Sequence, residues 1–217
     1  MIRLDGVSKT YATRIGPVRV LDSIDLTVQK QERVGILGRN GAGKSTMIRI
    51  LSGAEEPDQG RVERDMSVSW PLAFTGAFQG ALTGIDNLKF ICRIYGKDFR
   101  DKLEFVEEFS ELGVYLREPV RSYSSGMAMR LAFAISMVIE FDCFLIDEVM
   151  AVGDARFHAK CHRELFEKRA DRSLIIVSHD AGYIREHCTR ACILHEGRLE
   201  CFETMDSAYQ AYDRLLA

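Results

Sequence analysis

Apolar and polar residues alternate through Ile2-Arg3-Leu4, Val18-Arg19-Val20-Leu21 and Ile24-Asp25-Leu26-Thr27-Val28, which predicts short strands. Turn-rich sequence at 13–17, with Gly16 and Pro17, separates them, so an antiparallel sheet is expected at this end. Arg33-Val34-Gly35-Ile36-Leu37 is a short apolar run of the kind a buried strand shows. Met47, Ile48, Ile50 and Leu51 then take helical spacing, ended by Gly53 and Pro57. Arg61-Val62-Glu63 and Val68-Ser69-Trp70 again suggest strand.

The texture changes after Gly76, Gly80 and Gly84. Leu88, Ile91, Ile94 and Tyr95 share one face of a helix predicted over 86–95. A second helix, 99–112, is apolar at Leu103, Phe105, Val106 and Phe109 and is closed by Gly113. Ser122 to Met127 opens a third, over 128–139. Two apolar strands follow, each ending in polar groups: Cys143-Phe144-Leu145-Ile146 before Asp147-Glu148, and Leu174-Ile175-Ile176-Val177 before Ser178-His179-Asp180. A hairpin over 191–201 and a helix over 205–216 complete the chain. The pattern predicts one α/β domain, core 1–76 and 140–217, with a helical lobe of about 77–139 inserted in it.

One loop gives this scaffold its chemistry. Gly38-Arg39-Asn40-Gly41-Ala42-Gly43-Lys44-Ser45-Thr46 fits Gly-x4-Gly-Lys-Ser/Thr and lies between a predicted strand and a predicted helix. Backbone N–H groups, unobstructed by a Cβ at Gly41 and Gly43, can wrap a β-phosphate. The helix N-terminus adds partial positive charge, Lys44 reaches the β- and γ-phosphates, and the Ser45 hydroxyl can ligate magnesium. A bound nucleoside triphosphate is the expectation. Beside such a loop, Asp147 at its strand end can hold magnesium through water, and Glu148 can polarise an attacking water. His179 can hydrogen-bond a γ-phosphate, or be a structural or solvated histidine. Tyr11 can stack on the base, or be an ordinary edge-strand tyrosine. Ser124 and its neighbours, alone, are ordinary N-cap chemistry.

Composition narrows the partners. The 217 residues are 47% hydrophobic, enough for a core. Lys and Arg number 29 against 32 Asp and Glu, a net charge of -3 with no basic block, which argues against a nucleic-acid footprint. No apolar run is long enough to span a bilayer, and Met1 to Asp5 does not open a signal peptide, so a cytosolic chain is expected. The six cysteines include no Cys-x2-Cys pair; they are expected to be reduced, as small core residues or free surface thiols.

In this order the segments resemble the ATPase subunit of ATP-binding-cassette transporters over nearly the whole chain. Gly38 to Thr46 resembles the Walker A loop, and Cys143 to Glu148 resembles Walker B with its catalytic Glu148. Ser124-Ser125-Gly126-Met127 stands where the Leu-Ser-Gly-Gly-Gln signature belongs. Ala151-Val152-Gly153-Asp154 resembles the D-loop, His179 the switch histidine and Tyr11 the adenine-stacking aromatic. Gln79 is the natural candidate for the magnesium-sensing glutamine of the Q-loop, with a surface-loop glutamine as the other reading. The resemblance implies a P-loop NTPase (RecA-like) core with an antiparallel β subdomain and an α-helical lobe, and ATP and Mg2+ as ligands. It also implies a homodimer with two ATPs between the copies, each meeting Lys44 and Ser45 of one and Ser125 and Gly126 of the other.

The departures from the family pattern are specific. The signature reads Tyr-Ser-Ser-Gly-Met, and the D-loop follows Ile-Asp-Glu-Val-Met-Ala-Val-Gly-Asp-Ala, with Lys160-Cys161 soon after. Thr83-Gly84 followed by Asn87-Leu88 is a further distinctive string. These resemble the branch that exports finished surface polysaccharides, and within it the KpsT-type ATPases of Gram-negative capsule exporters. O-antigen and teichoic acid are the alternative cargoes; O-antigen relatives often carry a carbohydrate-binding domain beyond the core, and an end at Ala217 favours capsule. The resemblance further implies a separate integral-membrane permease, received near 76–100 by residues such as Phe78, Leu82, Phe90 and Tyr95. Other capsule-export components, and a place at the cytoplasmic face of the inner membrane, go with it. Rival readings are a DNA- or ribosome-directed cassette ATPase, which would call for a coiled coil, a second cassette or a basic surface, and a small-molecule kinase, which would have no use for the signature.

Overall fold

The computed structural model describes residues 1–72, 74–148 and 154–216. They form two compact units: one of residues 1–71, 141–148 and 171–216, the other of 72–140 and 154–170.

The first unit carries two sheets. β1 (Ile2–Thr13) and β2 (Gly16–Val28) form an antiparallel hairpin, and β4 (Gln59–Arg64) pairs on the other side of β1. The alternation placed two strands within β2; the structure has one, which passes Ser23 with φ 52° while the Ser23 N–H donates to Ser8 Oγ at 2.9 Å. Such an irregularity shifts the register without ending the pairing.

The second sheet runs β5 (Val68–Pro71), β6 (Cys143–Asp147), β7 (Ser173–Ser178), β3 (Arg33–Leu37), β8 (Arg190–His195), β9 (Arg198–Cys201). All its pairs are parallel except β8 with β9. Parallel strands are covered on both faces, which is why β3, β6 and β7 read as continuous apolar runs. Ile36, Phe144, Leu145, Ile146, Ile175, Ile176 and Val177 are fully buried, and each such side chain contributes about 1.5–3 kcal/mol. Helices α1 (Lys44–Ser52), α6 (Ala181–His187) and α7 (Met205–Leu216) belong to this unit. The carboxyl ends of β3, β6 and β7 lie side by side, so the chain leaving each can contribute to one site.

The second unit is helical. α2 (Gly84–Ile94) is capped by Thr83, whose hydroxyl accepts from the Asp86 N–H at 3.0 Å. α3 (Arg100–Ser110) follows, and α4 (Ser125–Ile139) buries every residue from Leu131 onward. α5 (Ala155–His162) continues into one π-helical turn, Arg163–Glu167. No element was predicted there, because charged residues dominate the segment. Its buried Phe157, Cys161 and Leu165 nonetheless hold i, i+4, i+8 spacing. Phe109 stacks on Phe133 and meets Phe157 edge-on, with centroids at 5.6 and 5.5 Å, which ties α3, α4 and α5 together.

The cysteines need one correction. Cys192 and Cys201 stand opposite each other in the β8–β9 register and are joined as a disulfide, so they are not free thiols. Sequence spacing hid the pair because register, not separation, brings them together. Cys92, Cys143, Cys161 and Cys188 are free and buried; burial pushes the thiols of the last three up to about 12.

Candidate functional site

β3 ends at Leu37 and the chain turns at once. Gly38 leaves no room for a side chain, since a Cβ there would lie 2.8 Å from Leu194 O. Gly43 takes φ 106° as the residue before α1, and its Cβ would lie 2.9 Å from Val20 O, so only glycine fits. The loop between them accepts the Ala42 N–H on Arg39 O at 3.1 Å. α1 starts at Lys44 and stops at Gly53, whose N–H bonds the Arg49 and Ile50 carbonyls. Its buried residues Met47, Ile48, Ile50 and Leu51 are those the periodicity assigned to a core face.

Lys44 is 7% exposed and folds back over its own loop, donating to Gly38 O at 2.9 Å and Arg39 O at 3.3 Å. Its ammonium also meets Glu148 Oε1 at 3.3 Å. Glu148 follows β6 with φ 64°, and its N–H donates to Val177 O at 2.7 Å, which ties the turn to β7. A left-handed glutamate is strained backbone held by its surroundings. Its other oxygen lies 2.6 Å from His179 Nδ1. Burial works to raise the Glu148 carboxyl, but the hydrogen bonds from His179 and Lys44 outweigh it and hold the group below the usual range. Asp147 goes the other way: burial, then the Glu148 charge, push it up against the opposing pull of Lys44 and Arg49.

Lys44, Asp147 and Glu148 face a cavity of about 370 Å³ lined also by Val20, Asn40, Gly41, Gly43, Ser45 and Thr46. A larger one, about 700 Å³, lies along the β8–β9 hairpin at Asp22, His195, Glu196 and Arg198, and includes no residue of the glycine loop. In the first, the Ser45 hydroxyl and the Asp147 carboxylate offer hard oxygen donors of the kind a small divalent cation takes. Lys44, Asp147, Glu148 and His179 are thus brought together with the loop 38–46.

Tyr11, on β1, reaches the same helix from outside. Its hydroxyl donates to the Glu55 carboxylate, 2.7 and 2.8 Å from the two oxygens, and accepts from Arg49 Nη2 at 2.9 Å. Arg49 also donates to Thr46 Oγ1 at 3.2 Å. The sequence reading did not single out Arg49 or Glu55. The available signal was the polar spacing Thr46, Arg49 on one side of α1, with acidic Glu55 just past its end.

The remaining predicted residues belong to the second unit. Gln79 is exposed, and its backbone exchanges hydrogen bonds with the Asn87 side chain, from its N–H at 2.9 Å and to its carbonyl at 3.2 Å. Ser124 caps α4 by accepting the Met127 N–H at 3.2 Å; Ser125, Gly126 and Met127 form the first turn. Asp154 caps α5 on the Phe157 N–H at 2.9 Å and pairs with Arg130 at 3.2 Å. Arg130 also pairs with Glu111 at 3.1 Å and lies 4.4 Å above the Phe157 ring. One basic side chain on α4 thereby ties that helix to the start of α5 and to Glu111, just past α3. Ala151, Val152 and Gly153 lie outside the described residues.

A glycine loop on a helix N-terminus, a buried lysine and two strand-end carboxylates define a phosphate-loop nucleotide site. The ABC transporter family model matches residues 21–151. The capsule polysaccharide export ATP-binding protein CtrD of Neisseria meningitidis serogroup B is 59% identical over 215 residues, 99% of this chain and 100% of that one. The polysialic acid transport ATP-binding protein KpsT of Escherichia coli is 41% identical over 218 residues, 99% of each chain. The chain belongs to the ABC transporter family. In fold it is similar to the ATP-binding cassette MJ0796, solved as a dimer bound to ADP and Pi, with a TM-score of 0.79 at 21% identity, covering 94% of this chain and 99% of that one.

Proposed function

We infer that this chain is the ATP-hydrolysing subunit of a transporter that exports capsular polysaccharide. The observation that carries the ATPase part is the convergence of Lys44, Asp147 and Glu148 on the glycine-loop cavity, with His179 bonded to Glu148. Loop N–H groups and Lys44 bind the phosphates of ATP. Ser45 and Asp147 would hold Mg2+, which would supply charge that offsets the β- and γ-phosphate oxygens. Glu148 orients water and takes its proton as the new P–O bond forms and the bond to the ADP oxygen breaks. Lys44 and His179 offset the charge that develops on the γ-phosphoryl group. Tyr11 is the platform for the adenine, and Gln79 senses the magnesium.

The signature residues Ser124, Ser125, Gly126 and Met127, with Asp154 of the D-loop, act on the ATP of a second copy. α4 brings a helix N-terminus and exposed hydroxyls at Ser124 and Ser125, the chemistry a γ-phosphate needs. No helix among the described residues is long and apolar enough to cross a membrane. The membrane path therefore belongs to a separate permease, with this chain at the cytoplasmic face of the inner membrane. Exposed Leu82, Phe90, Ile94 and Tyr95 supply apolar surface for that partner. The cargo is supported by the names of the relatives, which are capsule and polysialic acid exporters.

The test is a clean deletion of the gene in its host, with the glycan stained at the surface and in the cytoplasm. Capsule missing outside while finished polymer accumulates inside is the expected result. A normal capsule would exclude this cargo and leave O-antigen or teichoic acid.

A further inference from the structure

Tyr11 is held by its hydroxyl as well as by its strand. The phenol donates to Glu55 and accepts from Arg49, and Arg49 Nε closes the triangle on Glu55 at 2.9 Å. Lys9 adds a second cation to Glu55 at 3.2 Å and lies 5.8 Å from the centre of the Tyr11 ring, over one of its faces. Arg49 holds the Glu55 carboxyl down, with Tyr11 and Lys9, to about 2, so the anion at the centre of this cluster persists across the neutral range.

Two geometric consequences follow. The ring cannot turn about its strand without breaking hydrogen bonds to a charged group, and Lys9 over one face leaves the other as the face for a stacked base. Arg49 and Thr46 sit on α1, three residues apart, and their contact ties the ring to the helix that begins with Lys44 and Ser45. The distance between a base platform and the phosphate loop is therefore set by side chains, not left to a half-buried strand.

We propose that Glu55, together with Arg49, is a positioning residue that sets the Tyr11 ring as the base platform, so that binding of a nucleoside triphosphate depends on the tyrosine hydroxyl and not on an aromatic ring alone. This rests on the reading of Tyr11 as that platform. An ordered ring spares the ligand the cost of ordering it, so the effect falls on the base and leaves the phosphates alone.

The experiment measures affinity of the full chain for ATP and, separately, for inorganic tripolyphosphate, by calorimetry. Tyr11→Ala, Tyr11→Phe and Glu55→Ala are each expected to weaken ATP by about five- to tenfold and to leave tripolyphosphate unchanged. Glu55→Gln, which can still accept the phenol's hydrogen, should recover part of the loss. The double variant Tyr11→Phe with Glu55→Ala should be no weaker than Glu55→Ala, because both remove the same contact.

If Tyr11→Phe and Glu55→Ala bind ATP as the parent does while Tyr11→Ala does not, the platform stands and the positioning role is overturned. Equal loss of ATP and tripolyphosphate in Glu55→Ala also overturns it, since the effect then runs through the phosphate loop. No effect of Tyr11→Ala removes the platform itself, and the positioning role with it. Should Glu55→Ala fail to fold, Tyr11→Phe, which lacks only one oxygen, carries the test.

Discussion

The nucleotide-facing groups of the first unit and the signature turn of the second satisfy their polar atoms in opposite ways. In the first, Glu148 bonds both Lys44 and His179, and Lys44 also bonds the loop carbonyls, at distances from 2.6 to 3.3 Å. In the second, Ser124 is engaged in capping its own helix, while Ser125 stands exposed at the N-terminal turn of α4. The lesson is one of division: one unit holds groups that must be prised apart by a phosphate, and the other holds donors displayed outward on a rigid helix. Chemistry requires the first; recognition of a second molecule suits the other.

The strongest way to break this contrast is at Glu148. Glu148→Gln keeps the shape, removes the charge that pairs with Lys44, and should cut steady-state ATP turnover by about 10²- to 10³-fold with ATP affinity retained. Turnover at the parental rate in a phosphate-release assay would take the base assignment away. On the other unit, Gly126→Asp puts a carboxylate at the outward helix end. Hydrolysis should fall by at least about tenfold through like-charge repulsion, with ATP affinity of the isolated chain unchanged. Loss of ATP affinity in a binding titration would mean that the two units do not divide the work this way.

Smaller effects sharpen the picture. Arg130→Ala removes the pairs to Glu111 and Asp154 and the contact over Phe157, for about 1–2 kcal/mol of stability by urea denaturation. A further effect is that of pH. Glu55 is held at about 2 in the folded chain against 4.5 when unpaired, so its contribution is complete above 4.5 and lost as pH falls toward 2. The stability difference between parent and Glu55→Gln should therefore shrink between pH 5 and about 2.5. A difference that stays constant over that interval would contradict the pairing.

Much of this was legible in the order of residues because local rules agree with the fold. β3, the glycine loop and α1 announce themselves through an apolar run, fixed glycines and helical spacing, and the steric demands at Gly38 and Gly43 explain why those positions admit nothing else. β6 and β7 were equally plain, since parallel strands buried on both faces leave a continuous apolar trace. What stayed hidden depends on neighbours distant in sequence. The Cys192–Cys201 bond arises from strand register, and the Tyr11–Glu55 contact joins residues 44 positions apart. α5 was masked by charge, its apolar stripe being only one residue per turn and hence narrower than an ordinary amphipathic face. The Lys44–Glu148 pair crosses 104 positions, and no spacing rule reaches that far.

The π-helical turn at Arg163–Glu167 gives the chain a tolerance of length that ordinary helices lack. A π turn is an α-helix with one residue too many, so excising a residue there would relax the segment to α geometry. The same deletion in an ordinary α-helix would turn everything beyond it by about 100°, whereas here the residue removed is the extra one and the phase past Glu167 is largely kept. Glu164 now reaches Arg169 at 2.6 Å and Lys168 at 2.8 Å, and Arg169 donates to Met137 O at 2.9 Å. Deleting one residue between Glu164 and Lys168 would leave Arg169 four and Lys168 three positions from Glu164, spacings that still face each other on an α-helix, so this stretch should tolerate the loss of one residue where α3 or α4 would not.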